Sequence, residues 1–415
     1  MASALLEELP IPIELLTEIY KYLPRPDRMS CSMVSQKWKE ALDRRDLWKN
    51  IILHIDKDFL EPSTILLTNE YYRHINSLEI GWEKPQIQNR WLPLKIHDLT
   101  KRVVRYMFIL NENGVQIKSF KIFEWYDVYP LKKIIYHLAR FLRLVKDYHL
   151  LFFRIQNGLK KIVFHNTNLP KTECLKILDA CLASKHSVAY LEIHNYFYNF
   201  NTAFDTVEFL GYLQEFTYLK ELKMDYFIFC GRRIIDVIAE NGKSHLKSLE
   251  IFFDETDMHS HIIPDTKWRK LKKCCPNLKV SITIRNICHY EQIEFIFLMK
   301  NIPLSSFSMY TGNKYNQRVS RNFEETLTQL IKNYYRTLEF VNLELKNNKE
   351  ILDNLLFQII DKCPKLKKLF FDGNVNVDMN LFHEICKYKQ SAKGLYVKIM
   401  QSNFKYMTNL VHMFS

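Results

Sequence analysis

A short phrase returns along the chain beyond residue 70, and it limits what this chain can fold into. The phrase is Leu-Lys-x-Leu-x-Ile/Phe or a close variant. Instances of its apolar-x-apolar part begin at Leu78, Phe120, Ile162, Leu191, Leu222, Leu249, Val280, Phe307, Val341, Leu369 and Leu395. From Ile162 onward the steps run from 26 to 34 residues, and the first two steps are 42. Each phrase predicts a short strand with two apolar residues on one face. Helical patterns lie between. Leu175, Leu178, Cys181 and Leu182 share one face, as do Leu352, Leu355, Leu356, Ile359, Ile360 and Cys363. Cys-Pro-x-Leu-Lys occurs at Cys275–Lys279 and Cys363–Lys367, where the proline stops a helix just before a strand. A strand, a helix and a parallel return strand make a right-handed crossover. Units of this kind bury their apolar faces by stacking on neighbours. A chain of 415 residues exceeds one ordinary core, so two units or an elongated array are expected.

The body resembles the leucine-rich-repeat family over roughly residues 75–400, in its long, ribonuclease-inhibitor-like form. That resemblance implies a curved solenoid of about eleven repeats, with parallel strands on the concave face and helices on the convex face. The asparagine that usually follows the strand is irregular here. Asn166 and Asn195 come one place early, and Asn374 lies nearer the usual place. The two wide steps, 81–119 and 123–161, need extra helix or loop, and Pro130–Arg154 is apolar enough for one long or two short helices.

The first fifty residues differ. Residues 11–23 predict a helix that starts near Pro12, carries Glu14 in its first turn and ends at Pro24 and Pro26. Ile13, Leu16, Tyr20 and Leu23 make one apolar face. Leu15, Ile19 and Tyr22 make another. Two short partners, near 27–33 and 34–45, cover only one of these faces, and so small a unit buries little surface by itself. The second face is therefore expected to meet another protein or the rest of the chain.

Ile11-Pro12-Ile13-Glu14-Leu15-Leu16, Ile19-Tyr20-Lys21-Tyr22-Leu23, Val34-Ser35-Gln36-Lys37-Trp38 and Leu47-Trp48 resemble the F-box family in residue type and spacing. Ile11 replaces the usual leucine. Arg28 stands where an apolar residue is common, which is expected to weaken the docking surface slightly. The resemblance implies docking on the adaptor subunit of a cullin-RING (SCF-type) ubiquitin ligase through Pro12, Leu15, Leu16, Ile19, Trp38 and Trp48. Leu15 and Ile19, on the second face, are the firmest of these; the others compete with packing inside the helices. The alternative is a helical cap on a basic repeat scaffold, binding a protein partner or nucleic acid without a ligase role.

The expected organisation is thus mixed α/β. A three-helix segment at 8–52 and a linker or helical cap at 53–74 precede a repeat body at 75–415 with a C-terminal cap. The strand face away from the core is expected to hold a target protein. Lys121, Phe123, Lys161, His165, Tyr190, His194, Lys223, Phe252, Tyr310, Phe370 and Tyr396 lie on that face, with Tyr396 placed between its phrase's core pair. Exposed aromatics anchor such interfaces.

The net charge of +13 is unevenly placed. Residues 1–50 hold eight Lys/Arg and eight Asp/Glu, so the whole excess lies beyond them. A basic body suits acidic protein segments or nucleic acid. Leu159-Lys160-Lys161 and Leu366-Lys367-Lys368 raise the nucleic-acid option, but lysines entering a strand are commonly solvated and blunt sheet edges.

No catalytic residue, metal site or cofactor is expected. The nine glycines include no Gly-x-Gly or phosphate-cradling pattern. His259-Ser260-His261, and Cys274-Cys275 with Cys288-His289, lack ligand spacing. Nine scattered cysteines, an odd count, suit free thiols in the cytoplasm or nucleus. The N-terminus shows no basic start typical of a signal peptide, the C-terminus carries no prenylation box, and no run of about eighteen apolar residues indicates a membrane span.

Overall fold

The computed structural model describes residues 11–83, 92–125, 131–145, 158–197, 207–230, 233–241, 245–254, 262–285, 298–311, 323–347, 350–375 and 395–400. The expected C-terminal cap beyond residue 400, the His259–His261 and Cys288-His289 pairs and the end of the Pro130–Arg154 segment lie outside these residues. The chain divides into two compact units, Met1–Tyr218 and Leu219–Ser415.

The first unit opens with three short helices, α1 (Ile13–Tyr22), α2 (Arg25–Ser32) and α3 (Gln36–Leu42). Pro12 precedes α1 as its N-cap, and Pro24 plays the same part for α2. The Ser35 hydroxyl accepts from the Trp38 N–H and caps α3. Then come β1 (Asn50–His54), α4 (Ser63–Tyr71), β2 (Ser77–Gly81), α5 (Leu92–Glu112), β3 (Ser119–Phe123), α6 (Leu131–Leu144), β4 (Lys161–His165), α7 (Lys171–Cys181), β5 (Tyr190–His194) and α8 (Val207–Glu215). β1 to β5 pair in chain order and in parallel. The two wide steps are filled by α5 and α6, the two longest helices described in this unit.

The second unit holds β6 (Glu221–Asp225), α9 (Ile234–Asn241), β7 (Ser248–Asp254), α10 (Asp265–Cys274), β8 (Lys279–Arg285), β9 (Leu304–Tyr310), α11 (Phe323–Tyr334), β10 (Phe340–Glu344), α12 (Asp353–Lys362), β11 (Lys368–Asp372) and β12 (Tyr396–Met400). These strands too are parallel and paired in order, with one bulge at Val280/Ser281 where Pro303 enters β9.

In both units the phrase residues form the core. Leu78, Ile80, Phe120, Ile122, Ile162, Phe164, Leu249, Ile251, Val341, Leu343, Leu369 and Phe371 are all buried. Burying side chains of this size contributes about 1.5–3 kcal/mol each. The helices add their own buried stripes. In α12 these are Leu355, Leu356, Ile359 and Ile360, with Leu352 and Cys363 at its ends. In α7 the stripe is Cys174, Ile177, Leu178 and Cys181, while Leu175 is only half-buried.

Two features depart from the sequence reading. Asn50–His54 is a twelfth strand, in register with Ser77–Gly81. The segment 53–74, expected as a linker or cap, therefore holds the end of a strand and a packed helix, which form a strand–helix unit of their own. At the other end, β12 pairs so that Val397 and Ile399, not Leu395 and Val397, match Leu369 and Phe371. Tyr396 consequently stands opposite Lys368, and Lys398 takes the central place expected for Tyr396.

Candidate functional site

The two apolar faces of α1 have separate fates. Leu16 and Tyr20 are buried among the short helices, with Thr17 beside them. Leu15, Ile19 and Tyr22 point outward, 54%, 41% and 86% exposed. Met33 and Val34, in the turn before α3, are also exposed. The buried side is closed by aromatic contacts. The Tyr20 ring meets Trp38 edge-on at 5.6 Å, and its hydroxyl donates to the Trp38 carbonyl at 3.1 Å. Burial, with Cys31 and Asp43 nearby, pushes the Tyr20 phenol up to about 12. Trp48 is buried, donates its indole N–H to the Leu42 carbonyl at 2.8 Å and stacks on Tyr71 at 4.3 Å. The Tyr71 hydroxyl donates to Asp43 at 2.6 Å.

Arg28 turns inward. Its Nε donates to the Leu23 carbonyl at 2.9 Å, satisfying the C-terminal end of α1, and its guanidinium lies 5.9 Å from the Trp48 ring centre. Burial, then the neighbouring Arg25, lowers its pKa to about 10, so it stays cationic at neutral pH. Arg25 pairs with Asp58 and donates to the Ile52 carbonyl at 2.8 Å. Asp58 accepts the His54 N–H at 2.6 Å.

The strand face away from the core is built from cross-strand pairs. Lys121 meets Glu79 at 3.1 Å, and Lys223 meets Glu250 at 2.7 Å. Glu192 accepts from the Tyr190 hydroxyl at 2.6 Å and lies 3.1 Å from His165 Nδ1. Rings and cations alternate. Lys161 lies over Tyr190 at 4.7 Å, Lys121 over Phe123 at 5.1 Å and Arg285 over Tyr310 at 5.5 Å. Among the described residues no group of three or more His, Cys, Asp or Glu is placed to hold a metal ion, and no helix is long and apolar enough to cross a membrane.

A search of protein-family models matches residues 9–50 to the F-box domain. The N-terminal segment is an F-box domain. Within it, the structure separates the six residues expected at the docking surface. Pro12, Leu15 and Ile19 are exposed, and Trp38 is half-buried against Tyr20. Leu16 and Trp48 are internal, a correction to the sequence reading: Leu16 faces the other helices, and Trp48 is stacked on Tyr71 with the Arg28 guanidinium near its ring. Arg28 is half-buried, with its guanidinium turned to the Leu23 carbonyl and the Trp48 ring. Tyr22, Met33 and Val34 join the exposed apolar set. Tyr22 was visible in the helical periodicity, whereas Met33 and Val34 sit in a turn that periodicity does not address.

On the strand face, Lys161 and Tyr396 are exposed, and Lys121, Phe123, His165, Tyr190, Lys223, Phe252, Tyr310 and Phe370 are half-buried. His194 is buried beside the His165 ring, which corrects its place among the accessible residues. Val163, at a central position of the same face, is buried too.

Proposed function

We propose that this chain is a non-catalytic substrate receptor of an SCF-type ubiquitin ligase. The F-box domain supports an adaptor-binding role in general; the finer assignment is our own. One observation carries it: the F-box leaves a contiguous apolar surface, Leu15, Ile19 and Tyr22, that its own helices do not cover. Pro12 and the edge of Trp38 border that surface in this proposal, and the adaptor of the ligase covers it. Residues 75–415 act as leucine-rich repeats and hold the target through the strand face, where Lys121, Phe123, Lys161, His165, Tyr190, Lys223, Phe252, Tyr310, Phe370 and Tyr396 are the contact set. The chain does no bond chemistry. It tethers a target lysine near a loaded conjugating enzyme, so that transfer proceeds at a high effective concentration.

Deleting residues 1–50 would be a poor test, because Leu47 and Trp48 belong to the core of the first unit. Co-expression with the adaptor is cleaner. The intact chain is expected to co-purify with the adaptor and to assemble with the cullin scaffold. Failure to bind adaptor at micromolar concentration by a folded chain sinks the proposal.

A further inference from the structure

Several lysines on or entering the strand face are neutralised by a neighbouring acid, whereas Lys161 lies over the Tyr190 ring. Lys121 has Glu79, Lys223 has Glu250, and Lys279 and Lys367 share Glu339 at 2.5 and 2.7 Å. At the end of the second unit the pattern changes. Phe340, Lys368 and Tyr396 stand in one row across β10, β11 and β12, and Asn342, Phe370 and Lys398 in the next. Lys368 lies 5.8 Å from the Tyr396 ring centre, and Lys398 lies 5.7 Å from that of Phe370. Among the described residues neither lysine meets a carboxylate. Phe340 and Tyr396 are 42% and 54% exposed. The rows thus combine two charges without acidic partners and two open aromatic surfaces. The following row, Glu344 and Asp372, is acidic.

We infer that the Lys368–Lys398 patch, flanked by Phe340 and Tyr396, binds an extended acidic peptide segment carrying apolar or aromatic side chains. This rests on the receptor role proposed above and names the chemistry of the target segment. Three arguments support it. Charge complementarity favours an anion, since two cations without acidic partners among the described residues face solvent together. The separation fits: strand spacing and rise place Lys368 and Lys398 about 8 Å apart along a diagonal, close to the roughly 7 Å between alternate residues of an extended chain. The acidic row limits the partner. A nucleic acid carries a phosphate at every step and would lay some of them against Glu344 and Asp372, whereas a peptide can present its carboxylates to the lysines alone. The exposed rings add apolar area, the usual anchor of such contacts.

The test uses the full chain bound to its adaptor and two labelled probes, a Glu/Tyr copolymer peptide and oligouridylate, titrated by fluorescence anisotropy. Binding of the peptide is expected, with a loss of about tenfold or more in the Lys368→Glu/Lys398→Glu variant. Lys368→Arg/Lys398→Arg is expected to retain binding, and Lys365→Glu, an exposed charge change outside the rows, to leave it nearly unchanged. Equal losses from Lys365→Glu and from the double reversal would overturn the inference, because net charge alone would then explain the binding. So would tighter binding of oligouridylate that depends on the same two lysines, which would make the patch a nucleic-acid site. Adaptor binding, measured on the same variants, separates the two proposals: lost peptide specificity with intact adaptor binding sinks only this inference, and lost adaptor binding by the wild type sinks the receptor role.

Discussion

Asn166 and Asn195 look misplaced in the sequence because they come one residue before the position where the repeat family usually carries asparagine. The backbone explains them. Glu124, Asn166 and Asn195 follow successive strands with φ of 47°, 51° and 46°, in the left-handed region that asparagine tolerates better than most residues. Their side chains form a ladder: the Asn195 amide donates to Asn166 at 2.9 Å, and the Asn166 amide donates to Glu124 at 2.7 Å. The inward position falls to Thr167, whose hydroxyl donates to the Tyr196 carbonyl at 3.0 Å. In the second unit Asn347 fills the inward role, donating to the Asn374 carbonyl at 2.8 Å and accepting its N–H at 2.7 Å. Residue type alone therefore did not distinguish a turn asparagine from an inward one. Asn166→Val is expected to destabilise the chain by about 2 kcal/mol, and Asn166→Gly by clearly less, in urea unfolding. Equal losses would mean that the left-handed turn carries no part of the effect. Gly81 is a sharper case. A Cβ there would stand 2.1 Å from the Phe123 carbonyl oxygen on the paired strand. Gly81→Ala is expected to cost about 3 kcal/mol, because backbone must move. Gly211, in α8 with open space around it, is the control, and Gly211→Ala should be neutral or stabilising.

At the scale of elements, the strands and most helices were legible because each phrase alternates with period 2 and each intervening stretch carries an apolar stripe. The strand that was missed, β1, has the sequence Asn-Ile-Ile-Leu-His and does carry the flanking lysine, Lys49, and an apolar pair, Ile51 and Leu53. It lies, however, at the end of the Leu47-Trp48 motif and ahead of the region beyond residue 70 where the phrase returns. Its register with Ser77–Gly81 is set by tertiary pairing, which local pattern does not contain. On its other edge, Arg25 takes the Ile52 carbonyl and Asp58 takes the His54 N–H. These side chains occupy backbone groups that would otherwise form an open template for strand addition. Asp58→Ala is expected to lower the thermal midpoint and to raise aggregation on heating, read by light scattering; an unchanged onset would show that the edge needs no such cover. A second element-level device is Glu339, which bridges the lysines entering β8 and β11. Burial alone would raise its carboxyl, but hydrogen bonds from Lys279 and Lys367 hold it below the usual glutamate range. The folded state therefore gains stability from Glu339 above the ordinary glutamate pKa of about 4.3, and loses it as pH falls through the lower folded value. Urea midpoints between pH 6 and pH 3 should fall more steeply for the wild type than for Glu339→Gln. Parallel curves would remove Glu339 from the acid response.

Over the whole molecule, the charge count separates residues 1–50, which carry no net charge, from a body that holds the entire excess of thirteen. That division was legible in the sequence, as was the second apolar face of α1. What was not legible is which aromatic residues close the F-box from within. Trp38 and Trp48 look alike in the motif, yet Trp48 is stacked on Tyr71, a residue outside the motif, and Trp38 remains half-buried. The same holds for the strand face, where spacing placed the residues but not the ion pairs that neutralise some lysines and leave Lys368 and Lys398 without acids among the described residues. In the proposed receptor role, the outward face of the F-box, and not its buried one, docks the adaptor. Calorimetric titration of purified adaptor into the wild-type chain and into Leu15→Glu/Ile19→Glu tests it most directly, with circular dichroism as the folding check. The double variant is expected to stay folded while its affinity falls by about 100-fold or more. A folded variant that binds the adaptor as tightly as the wild type would contradict it.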